Sequence, residues 1–158
     1  MILDEIVANT RRELPRRKRE QPAAALRERL ADLPPTLDLC AALRRTGVSI
    51  IAEIKRASPS RGAMNLGLNP AEMAVTYASA GADAISVLTE EQYFHGSPDD
   101  LIAVRAALRQ AGIACPILRK DFIVDPYQLL EARVWGADAV LLIAAVLDGA
   151  PLADLTEQ

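Results

Sequence analysis

The chain has 158 residues, 51% of them hydrophobic and 25% charged, which is the size and apolar content of one globular domain. A formal net charge of −3 gives no reason to expect nucleic acid or an anionic membrane surface as a partner. No apolar run approaches the ~20 residues of a membrane helix.

Residues 1–47 read as a charged helical extension. Ile2, Leu3, Ile6, Val7 and Leu14 make a helical stripe, and Pro15 is expected to end or bend that helix. The charges of "MILDEIVANTRRELPRRKRE" follow the apolar residues, which is not the layout of a signal peptide. The basic run "RRELPRRKRE" fits a solvated helix face. Two shorter helices, "AAALRERLADL" and "LDLCAALRRTG", follow, with Gly47 at the expected C-cap of the second. The two cysteines, Cys40 and Cys115, form no CxxC pair and fit a reduced, cytoplasmic compartment as small apolar fillers.

From residue 48 the rhythm changes to alternating strands and helices. "VSIIAEIKR", "ADAISVLTE", "CPILRKDF" and "ADAVLLIAAV" are the expected strands. "NPAEMAVTYASAG", "SPDDLIAVRAALRQAG" and "DPYQLLEARVWG" are the helices between them, and "PLADLTEQ" starts a fourth. Asn69, Ser97 and Asp125 each precede a proline as N-cap residues, and Gly81, Gly112 and Gly136 close the helices. The pattern predicts parallel strands joined by right-handed crossovers. "AGADAISVL" and "WGADAVLLI" repeat at an offset of 55 residues, two βα units. There is no G-x-G-x-x-G after the first strand and no Walker motif. The single His95 leaves no His-based metal site and no Ser-His-Asp triad.

The first strand carries an acid and a base in an apolar run. Alternation sends Ile50, Ala52 and Ile54 toward the helices and Ile51, Glu53 and Lys55 to the opposite face. In a barrel that face is the lumen, and its C-terminal mouth is where active sites sit. Buried charges there are expected to pair with each other or with a ligand; a surface strand with a solvent-facing Glu/Lys pair is the plainer alternative. The connection "ASPSRGAMNLGLNP" exceeds the usual βα loop of 2–6 residues and is a candidate functional loop. On the third strand Leu118, Lys120 and Phe122 share a face. If that face is the lumen, a desolvated Lys120 with Lys55 nearby is a general acid usable near neutral pH. Phe94, in "TEEQYFHGSP", and Phe122 are candidates for an aromatic pocket, although two aromatics near strand ends are more often core. His95 beside them is read as a solvated or packing residue, with an acid/base role as the alternative.

"IAEIKRASPSRG", "SVLTEEQYFHGS", "PILRKDFIVDPYQ" and "GADAVLLI", in this order, resemble the indole-3-glycerol phosphate synthase family, as do "ILDEIVANTRREL" and "AALRRTGVSIIAEIKR". The resemblance runs over essentially the whole chain. It implies a (βα)₈ TIM-barrel of which residues 48–158 are the first four strands, a half barrel that stops in its fourth helix, with residues 1–47 as an N-terminal helical extension. It implies ring closure and decarboxylation of 1-(2-carboxyphenylamino)-1-deoxyribulose 5-phosphate, a phosphorylated small molecule, to indole-3-glycerol phosphate in tryptophan biosynthesis, with no cofactor and no metal. On this resemblance Lys120 is the general acid, and Glu53 and Lys55 are the accompanying catalytic pair. Ser58, Phe94, Phe122 and Leu141 line the substrate. A barrel of about 250 residues would hold a further carboxylate, an Asn and the phosphate loops beyond residue 158. The chain is therefore expected to be an incomplete fragment that self-associates, or that pairs with a missing C-terminal half. A non-catalytic half-barrel scaffold, or another sugar-phosphate barrel enzyme of the same pathway, is the alternative.

Overall fold

A computed structural model describes residues 1–147 and 149–157. Its elements, in chain order, are α1 (Ile2–Glu20), α2 (Ala23–Leu30), α3 (Leu39–Leu43), β1 (Ile51–Ile54), β2 (Ala57–Ser58), β3 (Gly62–Ala63), α4 (Pro70–Ser79), β4 (Ala84–Leu88), α5 (Pro98–Gln110), β5 (Ile117–Lys120), α6 (Tyr127–Trp135), β6 (Ala139–Val140) and α7 (Ala150–Thr156). This is an α/β fold. β1, β4, β5 and β6 form one parallel sheet in that order, and β2 and β3 make a small antiparallel hairpin. No helix of the described residues is long and apolar enough to cross a membrane.

The period-two alternation of the strands decides the layers. Ile54, Ile85, Val87 and Ile117 point to one face and pack against Ala74 of α4, Leu101, Val104 and Leu108 of α5, and Ala132 of α6. All three crossover helices therefore cover the same side of the sheet. A second cluster joins Leu14 of α1 and Leu26 of α2 to Tyr127 of α6. The Tyr127 hydroxyl donates to the carbonyls of Arg17 (3.0 Å) and Gln21 (2.9 Å), pinning the end of α1 to the sheet's outer layer. Ile123, Leu147 and Leu155 form a third cluster, under α7.

The repeated "GAD" has a structural meaning. Gly81 (φ +100°) and Gly136 (φ +102°) turn the chain out of α4 and α6 through left-handed conformations that favour glycine. The next residue closes each turn, Ala82 N–H on Tyr77 O (3.0 Å) and Ala137 N–H on Ala132 O (2.9 Å). Asp83 and Asp138 then clamp the start of the neighbouring strand. Their carboxylates accept from Ile50 N–H and Ile117 N–H, each at 2.8 Å, and their own N–H groups donate back to the Ile50 and Ile117 carbonyls. An arginine holds each acid, Arg45 for Asp83 and Arg105 for Asp138.

Several sequence expectations are corrected. α1 runs through Pro15 to Glu20. Pro15 is exposed, so water can satisfy the carbonyl that its missing N–H leaves free. α3 ends at Leu43, with Arg44 as its C-cap, and Gly47 lies in the following turn. α6 starts at Tyr127; Asp125 still accepts the Tyr127 N–H (2.9 Å) but stands one residue further out than expected. β1 covers residues 51–54 and not 48–56, and Ile50 is exposed instead of packing beneath the helices. The long connection after β1 folds back as the β2–β3 hairpin. The last strand is two residues, 139–140, instead of the apolar run to Val146. Leu141 N–H makes the final bond, to Arg119 O (3.2 Å), because past Lys120 its partner strand turns away toward α6.

Candidate active site

The sheet's second face is the more open one: Glu53, Leu118 and Lys120 are partly exposed there, although Ser86 and Leu88 of β4 are buried. Register aligns Glu53 with Ser86 and Ser86 with Leu118, while Leu88 aligns with Lys120. These residues therefore share the side away from α4, α5 and α6, and Lys120 is the last residue of β5. Two lysines converge on one carboxylate there. Lys55 Nζ lies 2.9 Å from Glu53 Oε1 and Lys120 Nζ 3.7 Å from Glu53 Oε2. The three side chains are 30%, 33% and 33% exposed for Lys55, Glu53 and Lys120, so the cluster is paired yet accessible. One shared anion holds two primary ammonium groups at the C-terminal ends of β1 and β5, which flank β4 in the sheet. Such a cluster can bind an anionic group and deliver a proton.

The aromatic pair is also assembled. The rings of Phe94, in the loop after β4, and Phe122, just past β5, have centroids 6.0 Å apart and planes at 39°. That is a normal aromatic contact, and both residues are only half buried. Ser58 is buried in the β2–β3 hairpin, its Oγ 3.5 Å from Ser60 Oγ. Leu141 follows Val140, the register partner of Arg119, and so stands level with Lys120 at the same sheet end, half buried. His95 is exposed, takes φ +53°, and its carbonyl accepts from Arg56 (3.4 Å). Arg56 in turn makes a two-pronged pair with Asp100 at the start of α5, one prong at 2.9 Å. It thereby ties the end of β1 to the loop that carries Phe94.

Sequence reasoning missed the charged network on the closed side of the same strand ends. Arg119, 1% exposed, stacks over Trp135 at 4.3 Å. It donates to Asp121 (2.7 Å), Thr89 (3.1 Å) and the Gln128 carbonyl (2.8 Å), and lies 3.5 Å from Glu131. Arg17 of α1 reaches Glu131 as well, Nε at 2.9 Å. Burial alone would raise the Asp121 carboxyl, but the Arg119 guanidinium and hydrogen bonds from Thr89 and the Phe122 N–H hold it below the usual aspartate range. Alternation held the signal: Arg119 has the parity of Ile117, and an arginine sent into that layer requires acids to meet it. Arg119 and Asp121 anchor the strand end from behind, and Lys120 between them projects to the open face.

Two pockets, both partly open to solvent, lie elsewhere. One of about 690 Å³ separates α1 from the β4 loop and α6, and one of about 830 Å³ lies between α2 and α6. Neither is lined by Glu53, Lys55 or Lys120. Glu53, Lys55 and Lys120 stand on the face away from the crossover helices, each side chain about a third exposed.

Comparison with known proteins agrees with the motif order. The family model described as indole-3-glycerol phosphate synthase matches residues 3–158. A protein of that name from Mycolicibacterium smegmatis is 49% identical over 157 residues, covering 99% of this chain and 56% of the relative. One from Parafrankia sp. is 51% identical over 156 residues, and one from Rhodococcus jostii is 49% identical over 157, with the same coverage on both sides. The chain thus spans about half the length of the curated relatives it matches. With a family model running from residue 3 to residue 158 through every motif of the open face, the chain belongs to the indole-3-glycerol phosphate synthase family.

Proposed function

We propose that the chain supplies the first half of an indole-3-glycerol phosphate synthase active site, a carboxy-lyase site acting in tryptophan biosynthesis in the cytoplasm. The substrate on this reading is 1-(2-carboxyphenylamino)-1-deoxyribulose 5-phosphate. The observation that carries it is the convergence of Lys55 and Lys120 on Glu53 at the sheet's C-terminal end, on the face level with Leu141.

Ring closure joins an aromatic carbon to a carbonyl carbon whose oxygen must be protonated. Lys120 is the general acid for that step. Lys55 holds the substrate's anionic groups and assists the proton transfers, with Glu53 keeping both ammonium groups oriented. Phe94 and Phe122 form the wall for the anthranilate ring, Leu141 its apolar counterpart, and Ser58 lines the substrate from the hairpin.

We read residues 48–158 as the first half of a (βα)₈ barrel and residues 1–47 as its helical extension. Two features support this. Strand order follows chain order without reversal, and the three crossover helices lie on one face; a doubly wound sheet has helices on both. The repeated glycine stop and aspartate clamp are what a barrel built from copies of one unit would carry. The open face calls for a second half, either the remainder of a longer chain or another copy of this one. Alone, the chain is expected to self-associate or to be poorly soluble, since Val48, Ile50 and Ile51 stand exposed along the β1 edge. A clean monomer with cooperative melting in the ultracentrifuge and calorimeter would refute that expectation. A non-catalytic scaffold is favoured by one observation, the openness of the lysine cluster.

The test is formation of indole-3-glycerol phosphate, followed by indole fluorescence, with the chain alone and with a separately expressed second half of a relative. Product that disappears in Lys120→Ala supports the catalytic reading. No product in either mixture, from soluble and folded protein, favours the scaffold.

A further inference from the structure

One buried carboxylate at the mouth has no task in the reaction as proposed. Glu90, 6% exposed, follows β4 by two residues. Its Oε2 accepts the amide hydrogens of Tyr93 (2.7 Å) and Phe94 (3.1 Å), and its Oε1 that of Gln92 (3.2 Å). Its own carbonyl accepts Gly96 N–H at 2.9 Å. Three successive backbone amides converge on one carboxylate, an anion-holding nest whose anion comes from the chain itself. The rest of the loop is as tightly specified. His95 sits at φ +53°, and any Cβ at Gly96 would strike the backbone carbonyl of Leu88.

The loop closed in this way carries Phe94, whose ring meets Phe122 at 6.0 Å. Without the carboxylate, residues 92–94 would have three amides to satisfy in a half-buried turn, and the ring would lose its fixed base. Burial pushes the Glu90 carboxyl above the ordinary glutamate range, against the pull of the three amides. The group therefore costs the fold some stability at neutral pH, which suits a residue serving geometry.

We infer that Glu90 is a positioning residue: its carboxylate fixes residues 92–94 so that the Phe94 ring stands against Phe122 as one wall of the aromatic subsite. What that wall binds rests on the proposed function; the fixing of the loop does not.

The experiment is residue-resolved hydrogen exchange on the full chain, in wild type, Glu90→Ala and Glu90→Gln. Glu90→Ala is expected to speed exchange of the Gln92, Tyr93 and Phe94 amides by about tenfold or more, roughly the loss of one hydrogen bond's protection. The Ile85, Val87 and Ile117 amides should keep wild-type rates. Glu90→Gln, which retains an acceptor oxygen, should restore part of the protection. Unchanged rates for the three amides in Glu90→Ala would overturn the inference. So would loss of protection across the sheet in both variants, because Glu90 would then be a determinant of the whole fold.

A second readout, fluorescence titration with indole-3-glycerol phosphate, separates the two claims. Glu90→Ala should weaken binding as much as Phe94→Ala, and the double variant no further. Additive losses would count against Glu90 acting through Phe94. If wild type fails to bind the probe, the functional reading suffers while the exchange result still decides the role of Glu90.

Discussion

Arg119 and Lys120 are neighbours in the chain, both basic, and belong to different worlds. Arg119 points to the helix side, where it is met by two carboxylates, a threonine, a carbonyl and an indole. Lys120 points to the open side, where it has one acid at 3.7 Å, shared with a second lysine. The helix side is packed by this chain's own helices, while the lysine cluster on the other side is about a third exposed. One strand thus presents a buried, fully partnered cation with one parity and a partly exposed, loosely paired one with the other. On the proposed reading, the precision that ring closure would need at Lys120 would come from groups on the far side of the strand.

The sharpest way to break this comparison is to remove the buried partner. Arg119→Met should lower the unfolding free energy by about 3–5 kcal/mol, because Asp121 and Glu131 lose a buried counter-charge. Urea denaturation measures it. A loss below about 1 kcal/mol would mean that water enters and solvates the two acids, and that the helix side is less closed than its burial implies.

The pH dependence of stability should report the closed side at both ends. Asp121 is held below its ordinary value in the fold. Its contribution is present above the unfolded value of about 3.9 and is lost as pH falls through the lower folded value. Tyr127 is pushed up to about 12, chiefly by burial and then by the nearby Glu131 carboxylate. Its contribution is therefore complete below the unfolded value of about 10 and fades as pH rises toward 12. Melting temperatures across both ranges check this. In Tyr127→Phe the alkaline decline should shrink while the acid decline remains; an unchanged alkaline limb would reassign it to another group.

The order of helices and strands after residue 48 was legible because α4, α5 and α6 are each punctuated by a polar or proline start and a glycine stop. The parity of Glu53, Lys55 and Lys120 was legible from alternation alone. Element ends were less so. The last strand reads as a long apolar run, yet a strand extends only as far as its partner, and β5 turns away after Lys120. Pro15 reads as a helix end, but tertiary contacts on both sides of it, at Leu14 and Arg17, carry α1 through. The tasks of Asp83 and Asp138 were hidden for another reason. A repeated "GAD" signals a repeated turn, but only the register shows that each aspartate clamps the strand next door. Glu90 was hidden likewise, since nothing in "TEEQYF" says that the carboxylate turns back onto its own loop.

The smallest expected effect is the most informative about the open side. Glu53→Gln removes the anion shared by Lys55 and Lys120, but all three side chains are about a third exposed. Water and salt screen such pairs, so the change in stability should stay within about 1 kcal/mol in either direction. The substitution nevertheless leaves two ammonium groups facing each other with no charge between them. If the open side serves chemistry, the variant melts like wild type and fails in ring closure, in whatever assembly wild type is active. If Glu53→Gln instead unfolds the chain as Arg119→Met should, the lysine cluster holds the strand ends together, and the division of the sheet into a structural face and a reactive face falls.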